Sequence, residues 1–311
     1  MWLMGLGLLA WLLHQVPLQT VKQVLAHASP GVWALTLAGL ALSYGWRAAR
    51  LQVVLGLDGQ KGGKRWAGLR LDALRVILMH NAAVNLLPMR VGELSFPWLA
   101  SKHLNMPLDA SLASLLWMRL QDLAVLIALG LLMWPTLSVP WRSGGLVLLV
   151  IGWHGGIWLL KGLHGRLPKT SAERAMPGWV DLLTRCHSAL VAPHHHRWSA
   201  WALTWANWTT KLSAGACMLG ALTQQTWRVG WAGALGGELA AVVPIQGPAG
   251  FGTYEAGVWA GCALHAGTAS QAASAIVPAA LALHLCFLLC AVTAGLLAWL
   301  TPAWSTPHLP D

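Results

Sequence analysis

Two interruptions of apolar sequence, about half a chain apart, constrain the fold more than any other feature. The first lies in HNAAVNLLPMRVGELSFPW (80–98) and the second in ELAAVVPIQGPAGFGTYEAG (238–257). With Pro88 set against Pro244, each runs apolar–apolar–Pro, then Arg90 or Gln246, then a nearby Gly, and each is followed by a carboxylate, Glu93 or Glu255. The offset of 156 residues is about half of the 311-residue chain. Two such breaks are the expected mark of two repeats whose broken helices meet near a bilayer midplane.

A helix broken inside lipid strands N–H and C=O groups, so it persists only within protein or beside a watery cavity. The composition places this chain in a membrane: hydrophobic residues make up 56% and charged residues 10%, outside the range of a soluble domain. Apolar runs long enough to cross a ~30 Å hydrocarbon core recur along its length. The 21 Trp residues agree, because indole rings favour the headgroup level. A formal charge of +10 does not point to nucleic acid, because 13 of the 20 Lys and Arg lie in 47–75 and 161–197. Such clustering is what the positive-inside rule predicts for cytoplasmic loops. The five Cys form no CxxC pair and read as small buried hydrophobes.

This charge bias orders the spans. Residues 1–16 leave the cytoplasm, 17–30 form a weakly amphipathic external segment, and 31–50 return, with Arg47 and Arg50 expected to snorkel to the interface. After the loop 56–65, the pieces 69–87 and 92–104 form a re-entrant hairpin from the cytoplasm, and 108–133 runs outward. The second half repeats the plan inverted: 143–162, the basic loop 163–197, 198–222, a hairpin of 231–243 and 252–267 from outside, then 271–300 with a kink expected at Pro278. The fold class is therefore an all-α polytopic membrane protein. It has two inverted repeats, 1–138 and 139–311, each with about three full spans and one re-entrant broken-helix hairpin. Both termini fall on the cytoplasmic side of the membrane.

The breaks carry the candidate site. Helix N–H groups after Gly92 favour an anion, and Arg90 at the same tip offers a fork to phosphate oxygens. At the second break Gly250 and Gly252 permit close backbone approach, and Thr253 is placed to cap the next helix. The plainer alternative makes both breaks packing kinks. Intramembrane charges usually line a pathway or pair with one another. Arg119 and Asp122, at i and i+3, suit a structural ion pair. Glu93 and Glu255 fit two roles: balancing an amine or carrying a proton, or capping helices and pairing with Arg90 or Lys211. Asn81 and Asn85 share a face and suit either a headgroup or interhelical hydrogen bonds. The triplet His194–His196 reads as a solvated loop and not a metal site, and no P-loop, GxSxG, HExxH or Ser/His/Asp set is present. No cofactor is expected, and the chain does not read as an enzyme.

At NLLPMRVGE (85–93), MRLQD (118–122) and VPIQGPAGFGTYEAG (243–257) the sequence resembles the transmembrane region of the lysylphosphatidylglycerol synthase/flippase family. Arg90, Gly92, Glu93, Arg119, Asp122 and Glu255 match its motif positions. Ser95-Phe96-Pro97 stands where many members have a basic residue, and Met118 where an acidic one usually precedes the motif Arg. With the sequence ending at Asp311, the resemblance implies no aminoacyl-transferase domain and no synthesis of the lysyl lipid.

The resemblance and the paired breaks together imply a transbilayer lipid transporter binding a phosphate-bearing headgroup. A homo-oligomer and a lipid-modifying enzyme are the expected partners. The rival functions are a non-transporting partner of an envelope glycosyltransferase or lipid-modifying enzyme, and a small-solute transporter. A closed polar cavity without a lateral opening would favour the last.

Overall fold

The computed structural model describes residues 18–57, 69–164, 178–242, 248–266 and 269–301. The expected first span 1–16, the basic tracts 58–68 and 165–177, and residues 243–247 lie outside the described residues, as does the side chain of Arg90. All regular structure among the described residues is helical.

Helix α1 (Leu18–Ala26) meets α2 (Pro30–Val54) at a 94° bend. Ser29 opens α2 by accepting from Val32 N, with Pro30 in the first turn where its missing N–H costs nothing. Helix α3 (Leu71–Leu86) stops because Pro88 forces Leu87 into extended backbone, ψ 135°. A 3₁₀ segment, Pro88–Leu94, leads into α4 (Ser95–Leu104), which ends at Asn105 in the left-handed conformation, φ 53°. Helices α5 (Leu108–Met133) and α6 (Val139–His164) follow.

The basic loop expected over 163–197 is a loop only in part. It contains α7 (Gly178–Leu190), held by an Asp181–Arg185 pair at i, i+4 and packed on α5. A short 3₁₀ turn, Pro193–His196, then precedes α8 (Trp198–Thr223) and α9 (Trp227–Val242). The second break, Pro248–Gly250, leads to α10 (Thr253–Ala266), and α11 (Ala269–Leu300) continues through Pro278.

Among the described residues three helices are long and apolar enough to cross a membrane: Leu108–Met133, Val139–Leu163 and Ala275–Leu300. The count rises to four if the bent pair α1 and α2 makes one span. Helices α2 and α8, with 25 and 26 residues, match these in length. Their sequences are less apolar because they carry Arg47, Arg50, Asn207 and Lys211. Helices α3 and α9, with 16 residues each, reach only ~24 Å at 1.5 Å per residue.

At both breaks the chain folds back on itself. Gly92 lies against the Ala83 carbonyl and the Val84 Cα, while His80 meets Ser95 across the same pair. Any Cβ at 92 would collide with that backbone, so only Gly closes the turn. In the second pair Gly236 meets Gly257 and Ala232 meets Gly261 backbone to backbone, an antiparallel contact of the small-residue kind that apolar surroundings favour. The two break segments touch each other, and the second also touches α3.

Candidate functional site

Helices α2, α3, α5, α8, α9, α10 and α11 surround a cavity of about 300 Å³ that both breaks border. Three apolar clusters hold its walls. One joins α1, α8, α9, α10 and α11; a second joins α2 to α5 with the start of α8; a third joins α5, α8 and α9. Into these walls the sequence inserts charges that the clusters cannot solvate, and each carboxylate there has a basic partner.

The largest network crosses α2, the first break, α5 and α8. Asp122 receives both terminal nitrogens of Arg50, at 2.5 and 3.2 Å, and the indole N–H of Trp208 at 2.8 Å. Arg119 sits 3.5 Å from Asp122, as their i, i+3 spacing allows, and 2.8 Å from Glu93. Glu93 is thereby tied to α5, and His80 lies 3.5 Å from the same carboxylate. A second pair, Lys211–Glu238 at 2.7 Å, links α8 to α9, with the Lys211 ammonium 5.3 Å from the Trp208 ring.

At the second break Glu255 is 3% exposed and does two jobs. One oxygen accepts from the Gly252 N–H at 2.7 Å, and the other lies 2.7 Å from Nδ1 of His284 on α11. A Glu at the third position reaching back to the helix start is one half of a capping box. The Thr253 hydroxyl, expected as the cap, instead donates to the Gly250 carbonyl at 2.9 Å. Gly250 and Gly252 have φ of 81° and 82°, where a side chain would be strained. Asn81 orients the remaining wall: its oxygen accepts from Arg47 at 2.8 Å and its amide donates to the Tyr44 hydroxyl at 2.9 Å. Asn85 donates to the Asn81 carbonyl one turn back, at 2.7 Å, and lines the cavity.

The structure thus brings Asn81, Asn85, Glu93, Arg119, Asp122, Gly250 and Thr253 to one cavity, with Gly92, Gly252 and Glu255 directly behind it. Sequence reasoning missed Arg50, Arg47, Tyr44, Trp208 and His284. Arg50 does not snorkel: it is 4% exposed, and Asp122 neutralises it inside. The only signal was two arginines three apart in an otherwise apolar run.

The histidine triplet is also not a solvated loop throughout. His195 is fully buried; its Nε2 lies 2.9 Å from the Ser114 hydroxyl, and its carbonyl accepts from Trp117 Nε1 at 2.6 Å. Burial, aided by neighbouring His194, pushes its pKa down to about 4, so at neutral pH it packs uncharged against α5.

A comparison with family models matches residues 2–295 to the lysylphosphatidylglycerol synthase transmembrane region. No curated protein matches the chain, and no solved structure does. The matched stretch covers both breaks and every charged residue of the cavity wall. The chain is a helical membrane protein and belongs to the lysylphosphatidylglycerol synthase transmembrane-region family.

Proposed function

We propose that this protein moves a phosphate-bearing lipid between the leaflets of the bacterial inner membrane, without making or breaking a covalent bond. One observation carries the proposal. The polar, ion-paired cavity has apolar residues at its rim: Leu87 and Leu120 both line it and are 38% and 40% exposed. In a bilayer such exposed leucines meet acyl chains, while the groups behind them replace water around a headgroup. A lipid can occupy that boundary with its tails outside; a small-solute transporter has no use for it.

In this reading the chain is built as inverted repeats, 1–138 and 139–311, with both termini cytoplasmic. The hairpins at the two breaks are re-entrant, and their contact marks the repeat interface. The headgroup enters between them, with Arg90 and the turn at Gly92 toward its phosphate. Rocking of one repeat against the other exposes the cavity to each leaflet in turn. Glu93 and Glu255 hold the hairpins in shape through Arg119 and His284. A homo-oligomer and a lipid-modifying enzyme that supplies the lipid are the partners this role would call for.

The test is lipid movement in proteoliposomes across a panel of headgroups, with Arg90→Ala and Glu255→Gln alongside the wild type. Headgroup-selective movement that both variants lose is the expected result. Movement that persists in both would detach transport from the breaks. No movement of any lipid by folded protein would overturn the proposal in favour of a non-transporting membrane partner.

A further inference from the structure

The charges around the cavity are unevenly paired. Among the described residues that line it, the cations are Arg47, Arg119 and Lys211, apart from any charge on His284. Arg119 pairs with Glu93 and Asp122, and Lys211 with Glu238. Arg50, behind the wall, takes the closest contact to Asp122. Among these described cations Arg47 alone makes no salt bridge, and Asp122 acts on it only through the electrostatic field. Its one described hydrogen bond goes from Nη1 to the Asn81 amide oxygen, which carries no net charge. Asn81 is itself fixed by Tyr44, whose ring centroid lies 6.0 Å from the Arg47 guanidinium. A guanidinium has five N–H donors in a planar fork, so most of the Arg47 fork is left for a ligand.

We propose that Arg47 is an anion-binding residue of this cavity, and that it takes oxygens of the same phosphate group toward which Arg90 is directed. This deepens the transport reading and rests on it. A guanidinium held from one side by an amide and a tyrosine keeps its orientation, which is what two-point binding of phosphate oxygens requires. No described carboxylate of the wall is free for an ammonium group, since each already has a basic partner. The cavity therefore prefers an anionic phospholipid to one whose headgroup carries a net positive charge.

The test uses the full chain purified in detergent, with short-chain phosphatidylglycerol, its lysyl ester and inorganic phosphate as three probes. Binding is measured by calorimetry for the wild type, Arg47→Gln and Arg47→Lys. Loss of a charge-assisted contact predicts about 10- to 100-fold weaker binding of phosphatidylglycerol by Arg47→Gln. Arg47→Lys should recover part of it, because the charge remains without the fork. The lysyl ester should bind more weakly than phosphatidylglycerol. Inorganic phosphate that binds as tightly as the lipid, and depends equally on Arg47, would assign the site to the free anion and overturn the lipid as its source. Unchanged binding of phosphatidylglycerol by a folded Arg47→Gln, or tighter binding of the lysyl ester, would overturn the proposal. Selective lipid movement that survives in Arg47→Gln proteoliposomes would end this proposal alone, whereas no movement by the wild type would end the transport reading with it.

Discussion

Replacing Asp122 by Asn tests whether the cavity wall depends on charge or only on shape. The substitution keeps the volume and leaves an amide oxygen that can still accept from Trp208, now 2.8 Å away. What it removes is the counter-charge of Arg50, which is 4% exposed and whose other described hydrogen bond is to Thr204 at 3.1 Å. The new NH₂ group also faces Arg50 donors that have no acceptor there. For unit charges about 4 Å apart at an effective dielectric of ~20, the lost attraction is about 4 kcal/mol. A buried ion left without its partner costs about 3–5 kcal/mol in total. The pair is not ideal, since Nε of Arg50 has no partner among the described residues, so the lower part of that range is expected.

Thermal unfolding in detergent, followed by tryptophan fluorescence, gives the measurement. Asp122→Asn should lower stability by about 3 kcal/mol. The double variant Arg50→Met/Asp122→Leu, which removes both charges, should lose less than Asp122→Asn although it changes more atoms. Arg119→Met should cost less than Asp122→Asn, because the Arg119 side chain is 33% exposed and water screens its loss. A variant Asp122→Asn within about 1 kcal/mol of wild type would refute this account, as that is the scale of an exposed pair. A double variant less stable than Asp122→Asn would do so too.

Gly92→Ala should destabilise by about 2–4 kcal/mol and abolish lipid movement, because the added Cβ meets the backbone of Ala83 and Val84; unfolding and transport assays on one preparation check it. Lys211→Met leaves Glu238, 7% exposed, without its partner and should lower stability by about 3 kcal/mol, while Lys211→Met/Glu238→Gln should recover most of the loss in the same unfolding assay. His195 gives a pH dependence: its folded pKa of about 4 lies below the unfolded value near 6.5, so the unfolded chain takes up the proton first. Stability from this residue is complete above about pH 6.5 and falls as pH drops toward 4, by about 3 kcal/mol in all, and melting curves of His195→Gln should show a shallower slope over that window.

Helix limits were readable wherever a local rule applies. The span expected over 108–133 is found at Leu108–Met133, and Pro88 ends α3 two residues before it. Arg119 and Asp122 could be paired because three residues of helix bring them together. The closer partner of Asp122 could not be found that way, since Arg50 lies 72 residues earlier and meets it only once α2 packs beside α5 and α8. Helix α7 was missed for a related reason. Its charges and the basic tract before it suggest a solvated loop, but Cys186 and His187 tie it to Asp109 of α5 and Leu160 of α6.

Arg47 and Arg50 show how much of a site depends on that packing. They sit three residues apart on one helix, in a run that gives no local reason to treat them differently. Packing separates them. Arg50 is turned toward α5, where Asp122 holds both of its terminal nitrogens, and it closes the wall. Arg47 is turned toward α3, where Asn81 can accept a hydrogen bond but cannot cancel a charge. A carboxylate at position 81 would make the second arginine a duplicate of the first. The functional information therefore resides as much in the neutrality of Asn81 as in the charge of Arg47. Asn81→Asp, which supplies the missing carboxylate at nearly constant volume, should abolish phosphatidylglycerol binding while leaving unfolding temperature equal or higher. Binding that survives Asn81→Asp would mean that Arg47 is not the cation that meets the phosphate.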